Sequence, residues 1–282
     1  MIPEMRMMQL PINRGSSFKD YLGRRLMASR HPVQMTGEFI REWTATAEER
    51  RLLTQVRQGS SACWRPDDEP HPLVTVRIAT YDRGPIVAER SLASAIRQTY
   101  ERLEILVIGD HCDGATEEAV RSVRDPRIRF VNLPARGNYP SDPRLRWMVA
   151  GCAPMNVALT IAKGKWIAPC DDDDELTDDH VALLLDRTRE AGREFSWSMA
   201  SMETTPGNWD LVGMNRLRHG FVTHGSVLYS SALRFFTHNA LSWKLFEPAD
   251  WNLWRRMRRA GVAMGFVDEM TYLHYLERRI EP

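Results

Sequence analysis

Between residues 73 and 192, short β-rich apolar runs alternate with helical patterns, and this alternation constrains the fold more than any other feature of the chain. Residues 73–79, 104–109, 128–133 and 166–170 read as strands. Between them, 85–98, 116–124 and 154–162 read as helices, and 178–191 follows as a fourth. Pro85 suits a first helical turn, and Gly164 and Gly192 suit helix ends. Strands joined by crossover helices pair in parallel, so an α/β, doubly wound sheet is expected. Ligands of such sheets bind beyond the carboxyl ends of the strands. Those ends carry Thr80-Tyr81-Asp82, Asp110 to Asp113 and Asp171 to Asp174. Three polar clusters, each just after a predicted strand, therefore converge on one edge.

The four consecutive aspartates Asp171 to Asp174 follow the apolar run Trp166-Ile167-Ala168-Pro169-Cys170. Four like charges at the end of a buried strand repel one another and call for a counter-charge. A hard divalent cation prefers such oxygens and commonly holds phosphates on its other side. A bare acidic run serves equally well as a solvated loop capping the next helix; its surroundings decide.

The flanks differ from this middle. Residues 1–70 are rich in Met, Arg and Glu, with a helix predicted over 38–58, and Pro66-Asp67-Asp68-Glu69-Pro70-His71-Pro72 breaks the chain. An N-terminal helical extension over 1–70 and a main domain over 71–282 follow, the latter divided into halves 71–192 and 193–282. In the second half 195–202, 209–214, 226–229, 263–267 and 271–275 read as short strands and 248–260 as a helix stopped by Gly261. A net charge of +1 gives no global pull toward nucleic acid. No stretch has the length of a transmembrane helix, and the first residues lack a secretory apolar core. Cys63, Cys112, Cys152 and Cys170 lack zinc-site spacing and suit a reducing compartment, so a soluble cytoplasmic protein is expected. No GxGxxG or GxxxxGK[ST] is present. An EF-hand starting at Asp171 fails at Leu176 and Ala182.

The segment Val74-Thr75-Val76-Arg77-Ile78-Ala79-Thr80-Tyr81-Asp82-Arg83 resembles the opening of family 2 glycosyltransferases of the GT-A fold. So, in order, do residues 91–100, Glu104 to Asp110, Asn156-Val157-Ala158-Leu159, Ala162 to Ala168, and Asp171 to Leu176. The ordered set covers about 73–180, and Ala249-Asp250-Trp251-Asn252 extends it. The resemblance implies a GT-A-like (Rossmann-like) mixed, mainly parallel sheet flanked by helices, its halves binding nucleotide (71–192) and acceptor (193–282). It implies a nucleoside held by Thr80, Tyr81, Arg83 and Asp110, and a DxD motif at Asp171 and Asp173. Asp173 would hold Mn²⁺ or Mg²⁺, Asp171 the ribose or the metal's waters, and Asp172 would be a bystander. Asp174 and Glu175 would belong to the turn into the next helix. His274 is a further metal candidate, and His224 a loop residue able to line the acceptor site.

An alcohol acceptor needs a nearby carboxylate base. The family's Glu-Asp pair reads Ala249-Asp250 here, so Asp250 is the base candidate and Glu247 the alternative. Trp243, Trp251 and Trp254 could stack on a sugar, and Arg255 to Arg259 read as a solvated helix face. The implied function is metal-dependent, inverting transfer from a nucleotide diphosphate sugar, a UDP-sugar favoured, to an unknown hydroxyl acceptor. A nucleotidyltransferase or a non-catalytic nucleotide-sugar-binding protein is the alternative. Residues 1–70 could pack on the domain, form a homodimer or bind a partner.

Overall fold

The computed structural model of the protein describes residues 32–59 and 69–276. Residues 1–31, Cys63 and the Pro66 to Asp68 part of the breaker lie outside the described residues. Helix α1 spans Pro32–Gln58, and β1 is Val74–Thr80. Helix α2 runs through Gly84–Ile86, a π-helical stretch Val87–Leu92, and Ala93–Ile96. Then come β2 (Leu103–Gly109), α3 (Gly114–Ser122), β3 (Ile128–Asn132), α4 (Pro143–Trp147) and α5 (Cys152–Ile161). They are followed by β4 (Trp166–Asp171), β5 (Glu175–Leu176) and α6 (His180–Glu190). The chain continues through β6 (Phe195–Thr205), β7 (Asn208–Val212), β8 (Val227–Ser230), α7 (Ala249–Ala260) and β9 (Met264–His274).

The strands form one sheet in the order β3-β2-β1-β4-β8-β6-β9-β5, with β7 on β6. β1 pairs in parallel with β2 and β4, β2 with β3, and β6 with β9. The β4–β8, β6–β8, β6–β7 and β5–β9 pairings are antiparallel. The α/β fold with a mixed, mainly parallel sheet and an N-terminal helix is the one expected.

Strand alternation divides the core. Val74, Val76 and Ile78 point to one face, under Val87, Leu92 and Ala95 of α2, Val120 of α3 and Leu184 of α6. The opposite face packs Leu106 and Ile108 of β2 with Ala158 and Leu159 of α5 and Leu253, Trp254 and Met257 of α7. A fully buried side chain of this size contributes about 1.5–3 kcal/mol. Trp254 is fully buried in this second layer and Trp251 nearly so, which removes both from the sugar-stacking candidates.

Three expectations change. The strands expected at 263–267 and 271–275 are one, β9. Its polar interruption Asp268-Glu269 is exposed and falls where the β6 register jumps from Ser198↔Val267 to Met199↔Met270. A bulge there lets the strand continue. The short helix α4, with Asp142 as its N-cap, has no counterpart among the expected elements. Lastly, Arg255 to Arg259 are not a solvated face. Helix α1 lies along α7, where Arg255 bridges Glu42 (2.6 Å) and Glu247 (2.7 Å) and Arg256 pairs with Glu49. Arg57 closes the far end on Glu194 at 2.6 Å. The arginines complement the acidic face of α1, which is invisible when either helix is considered alone.

Candidate active site

The carboxyl ends of β1, β2 and β4 meet in the sheet centre, so the three polar clusters share one cleft. Beyond β1, Thr80 is buried and its carbonyl accepts from Asp110 N (2.8 Å). Asp82 stands at φ 49°, and its carboxylate accepts from Asp113 N at 2.8 Å. Tyr81 is half exposed, and the Arg136 guanidinium lies 3.5 Å from its ring centroid. The Asp110 carboxylate accepts from Gly137 N (2.9 Å) and Tyr139 Oη (2.7 Å). Asp110 therefore holds the loop that carries Arg136 over Tyr81. The sequence offers no signal for Arg136 or Tyr139, because their role depends on a loop closing across two strand ends.

The aspartates beyond β4 separate into distinct environments. Asp172 is buried and Asp173 half-buried, both beside Arg83, whose Nη1 reaches Asp173 Oδ2 at 2.5 Å and Asp172 Oδ1 at 3.3 Å. Arg90, in the π-helical part of α2, donates to the Asp173 carbonyl at 2.6 Å. Burial pushes Asp172 up to about 6, against the pull of Arg83. Burial, with the neighbouring Asp174 and Asp172 charges, pushes Asp173 up to about 7. This half of the cleft holds more negative charge than its arginines balance.

Asp174 is the largest departure from expectation. It is not a residue of the turn into the next helix: β5 intervenes and α6 starts only at His180. Its side chain is fully buried and accepts from Tyr272 Oη (2.7 Å), His274 Nδ1 (2.7 Å) and Tyr275 N (2.8 Å). Burial would lower His274, but the bond from Asp174 outweighs it and lifts the imidazole to about 9. Ligand atoms of Asp171, Asp174 and His274 lie within 4.8 Å of one another. The structure thus brings together Asp171 and His274, two of the three expected metal candidates, and adds Asp174, while Asp173 faces Arg83. Two carboxylates and an imidazole that has exchanged its second proton for the metal would suit Mn²⁺, and Mg²⁺ less well because it favours oxygen alone.

Asp171 and His274 are the partly exposed members, with 36% and 38% of their side chains accessible. Asp171 Oδ1 accepts from His224 Nδ1 at 2.6 Å. Burial would raise this carboxyl, yet His224, His274 and Arg77 together hold it down at about 2. Gly225, beside His224, leaves room for Tyr272: a Cβ there would sit 2.0 Å from its ring.

Asp250 opens α7, and its carboxylate accepts from Trp251 N at 2.6 Å. Burial pushes the Asp250 carboxyl up, moderated by His224 and reinforced by Asp171, so the three groups share one electrostatic neighbourhood. Glu247, the alternative base, is buried behind α7 against Arg255 and Asn252.

No protein-family model matches the chain. Over 125 residues it is 29% identical to the succinoglycan biosynthesis protein ExoO of Rhizobium meliloti, spanning 44% of this chain and 32% of that protein. Over 187 residues it is 28% identical to the chondroitin synthase of Escherichia coli, spanning 64% of this chain and 24% of that one. The chain thus spans about a third or less of these curated relatives. Among solved structures, S. aureus TarS aligns over 72% of this chain and 36% of its own, at a TM-score of 0.57 and 15% identity. The Pyrobaculum calidifontis mannosyltransferase PcManGT, solved with GDP-Man and Mn²⁺, aligns over 92% of this chain and 70% of its own, at a TM-score of 0.54 and 15% identity. In sequence the chain is similar to these curated proteins, and its fold is the GT-A-type mixed α/β fold of TarS and PcManGT.

Proposed function

We propose that the chain transfers a sugar from a nucleoside diphosphate sugar, a UDP-sugar by preference, to an acceptor hydroxyl, with inversion at the anomeric carbon. The observation that carries this reading is the meeting of Asp171, Asp174 and His274 with the raised carboxyl of Asp250 at the mouth of one cleft. TarS in complex with UDP and PcManGT with GDP-Man and Mn²⁺ support the donor class.

In this reading Tyr81 and Arg136 take the base, and Thr80, Arg83 and Asp110 complete the nucleoside site. Asp171, Asp174 and His274 would hold Mn²⁺ or Mg²⁺, which when bound supplies neutralisation of the charge growing on the diphosphate. Asp173, the ligand expected from the sequence, would join only by releasing Arg83. Asp250 takes the proton of the acceptor hydroxyl. The freed oxygen pair then attacks the anomeric carbon from the face opposite the diphosphate. The carbon–oxygen bond to the β-phosphate breaks, and the nucleoside diphosphate leaves with that electron pair. A raised carboxyl suits the base role, since a more basic carboxylate accepts the proton more readily. Soluble, cytoplasmic action belongs to the same reading. No helix among the described residues is long and apolar enough to cross a membrane, and Cys112, Cys152 and Cys170 are free thiols.

A melting series with UDP, GDP, dTDP and CMP, each with and without Mn²⁺, tests it. A ligand of the folded state raises the midpoint. UDP with Mn²⁺ should give the largest rise, and a UDP-sugar should then be turned over. No stabilisation by any nucleotide with Mn²⁺ would overturn the reading.

A further inference from the structure

Arg77 is a charged residue in the middle of the central strand, where Val74, Val76 and Ile78 are fully buried and Arg77 itself is 1% exposed. Burying a guanidinium is costly, and an aliphatic side chain would serve the sheet at least as well. Its Nη2 lies 3.0 Å from His224 Nε2. Since a guanidinium only donates, His224 Nε2 is the acceptor and the ring proton sits on Nδ1. That proton is the one donated to Asp171 Oδ1 at 2.6 Å. The His224 ring is held from the other side too, stacked on Trp254 at 17° with centroids 6.4 Å apart. An ordered line therefore runs from β1 through the loop before β8 to the tip of β4.

We propose that Arg77 and His224 are positioning residues for the donor site: Arg77 fixes the tautomer and plane of His224, and His224 fixes the carboxylate plane of Asp171. The inference rests on Asp171 belonging to the donor site. Arg77 and His224 act through Asp171, and His224 also borders Asp250. A displacement of about 1 Å in a group that aligns the reactants can lower the rate by as much as about 10²-fold. The device explains why a strand that could be wholly apolar carries an arginine.

The test uses Arg77→Met, His224→Ala, His224→Asn and Asp171→Asn in the full chain, read by melting temperature, UDP affinity with and without Mn²⁺, and kcat and KM for a UDP-sugar. Arg77→Met removes charge but keeps bulk, so it should melt at or above the wild-type temperature. It should nonetheless lose roughly tenfold or more in kcat and in Mn²⁺-dependent UDP affinity. His224→Ala should match it, and the double variant should be little worse than either single one, because one line is cut once. His224→Asn, whose amide can still donate to Asp171, should recover part of the loss. Unchanged kcat and unchanged Mn²⁺-dependent UDP affinity in Arg77→Met would overturn the inference. If Arg77→Met fails to fold, equal defects in His224→Ala and His224→Asn would overturn it instead. If Asp171→Asn binds UDP with Mn²⁺ as the wild type does, or the wild type binds none, the functional reading falls and the positioning role with it. If Asp171→Asn loses binding while both partners' variants keep it, the reading stands and only the positioning role fails.

Discussion

The two halves of the cleft carry their charge in opposite ways. In residues 74–192 carboxylates crowd beyond the strand ends with few partners, and burial drives Asp172 up to about 6 and Asp173 up to about 7. In residues 193–276 two buried carboxylates have arginine partners: Glu247 has Arg255 and Glu194 has Arg57. Glu42 of α1 belongs with them; burial would raise it, but Arg255 prevails and holds it down. The first half is electrostatically unfinished and suited to a cationic ligand. The second is a scaffold braced by arginine–glutamate pairs that delivers His224, Asp250, Tyr272 and His274 to it. Buried carboxylates thus crowd one another in one place and brace the fold through arginines in the other.

The sharpest way to break this comparison is at Asp250, where the scaffold hands a reactive group to the cleft. If Asp250 is the base as proposed, Asp250→Asn, which keeps the shape, should lower kcat by about 10²- to 10⁴-fold while UDP affinity with Mn²⁺ stays put. The pH profile adds a second reading. Burial raises this carboxyl, so its base form is populated only at pH values above the ordinary aspartate range, and the acid limb of kcat/KM should lie there. In Asp250→Asn that limb should vanish. Equal loss of nucleotide affinity would instead assign Asp250 to the donor side.

How much of this is legible in the sequence follows the same division. The first half announces itself locally: four apolar strands, their helices and the polar residues at each strand end lie within about 110 residues in order. Thr80, Asp110 and Asp171 are each located at the strand ends by that logic, and Arg83 by the family resemblance. Asp174 escapes it because its partners, Tyr272 and His274, lie about 100 residues away. The pairing of α1 with α7 escapes it for the same reason, since Glu42 meets Arg255 across 213 positions. One long-range feature does leave a local trace. Arg77 interrupts the apolar run Val74-Thr75-Val76-Arg77-Ile78, and a charge at a buried strand position signals a partner that the local sequence does not contain.

A smaller effect separates scaffold from ligand site. Glu42→Ala leaves the buried Arg255 with one partner where it had two, and the folded state should lose about 3 kcal/mol. Because the damage lies behind α7, Mn²⁺-dependent UDP affinity should change less than twofold in the protein that remains folded. Pairing Glu42→Ala with Arg255→Met should recover part of the stability, since the uncompensated charge is then gone. A drop in UDP affinity as large as the drop in stability would show that the halves are one unit.

The smallest expected effect is at the rim of the unfinished half. Arg136 lies over Tyr81 at 3.5 Å, on a loop held by Asp110 through Gly137 and Tyr139. A planar base entering between ring and guanidinium would replace one stacking contact by two. An exposed stacking contact of this kind contributes about 0.5–1 kcal/mol, so Arg136→Ala should raise the donor KM roughly two- to fivefold at constant kcat. Tyr139→Phe removes only the hydroxyl that bonds Asp110 and leaves the Gly137 bond in place. If the loop's function is to present Arg136, Tyr139→Phe should reproduce part of the Arg136→Ala effect and add nothing to it in the double variant. Additive losses would mean that Asp110 reads the nucleoside itself, and that the loop is merely its neighbour.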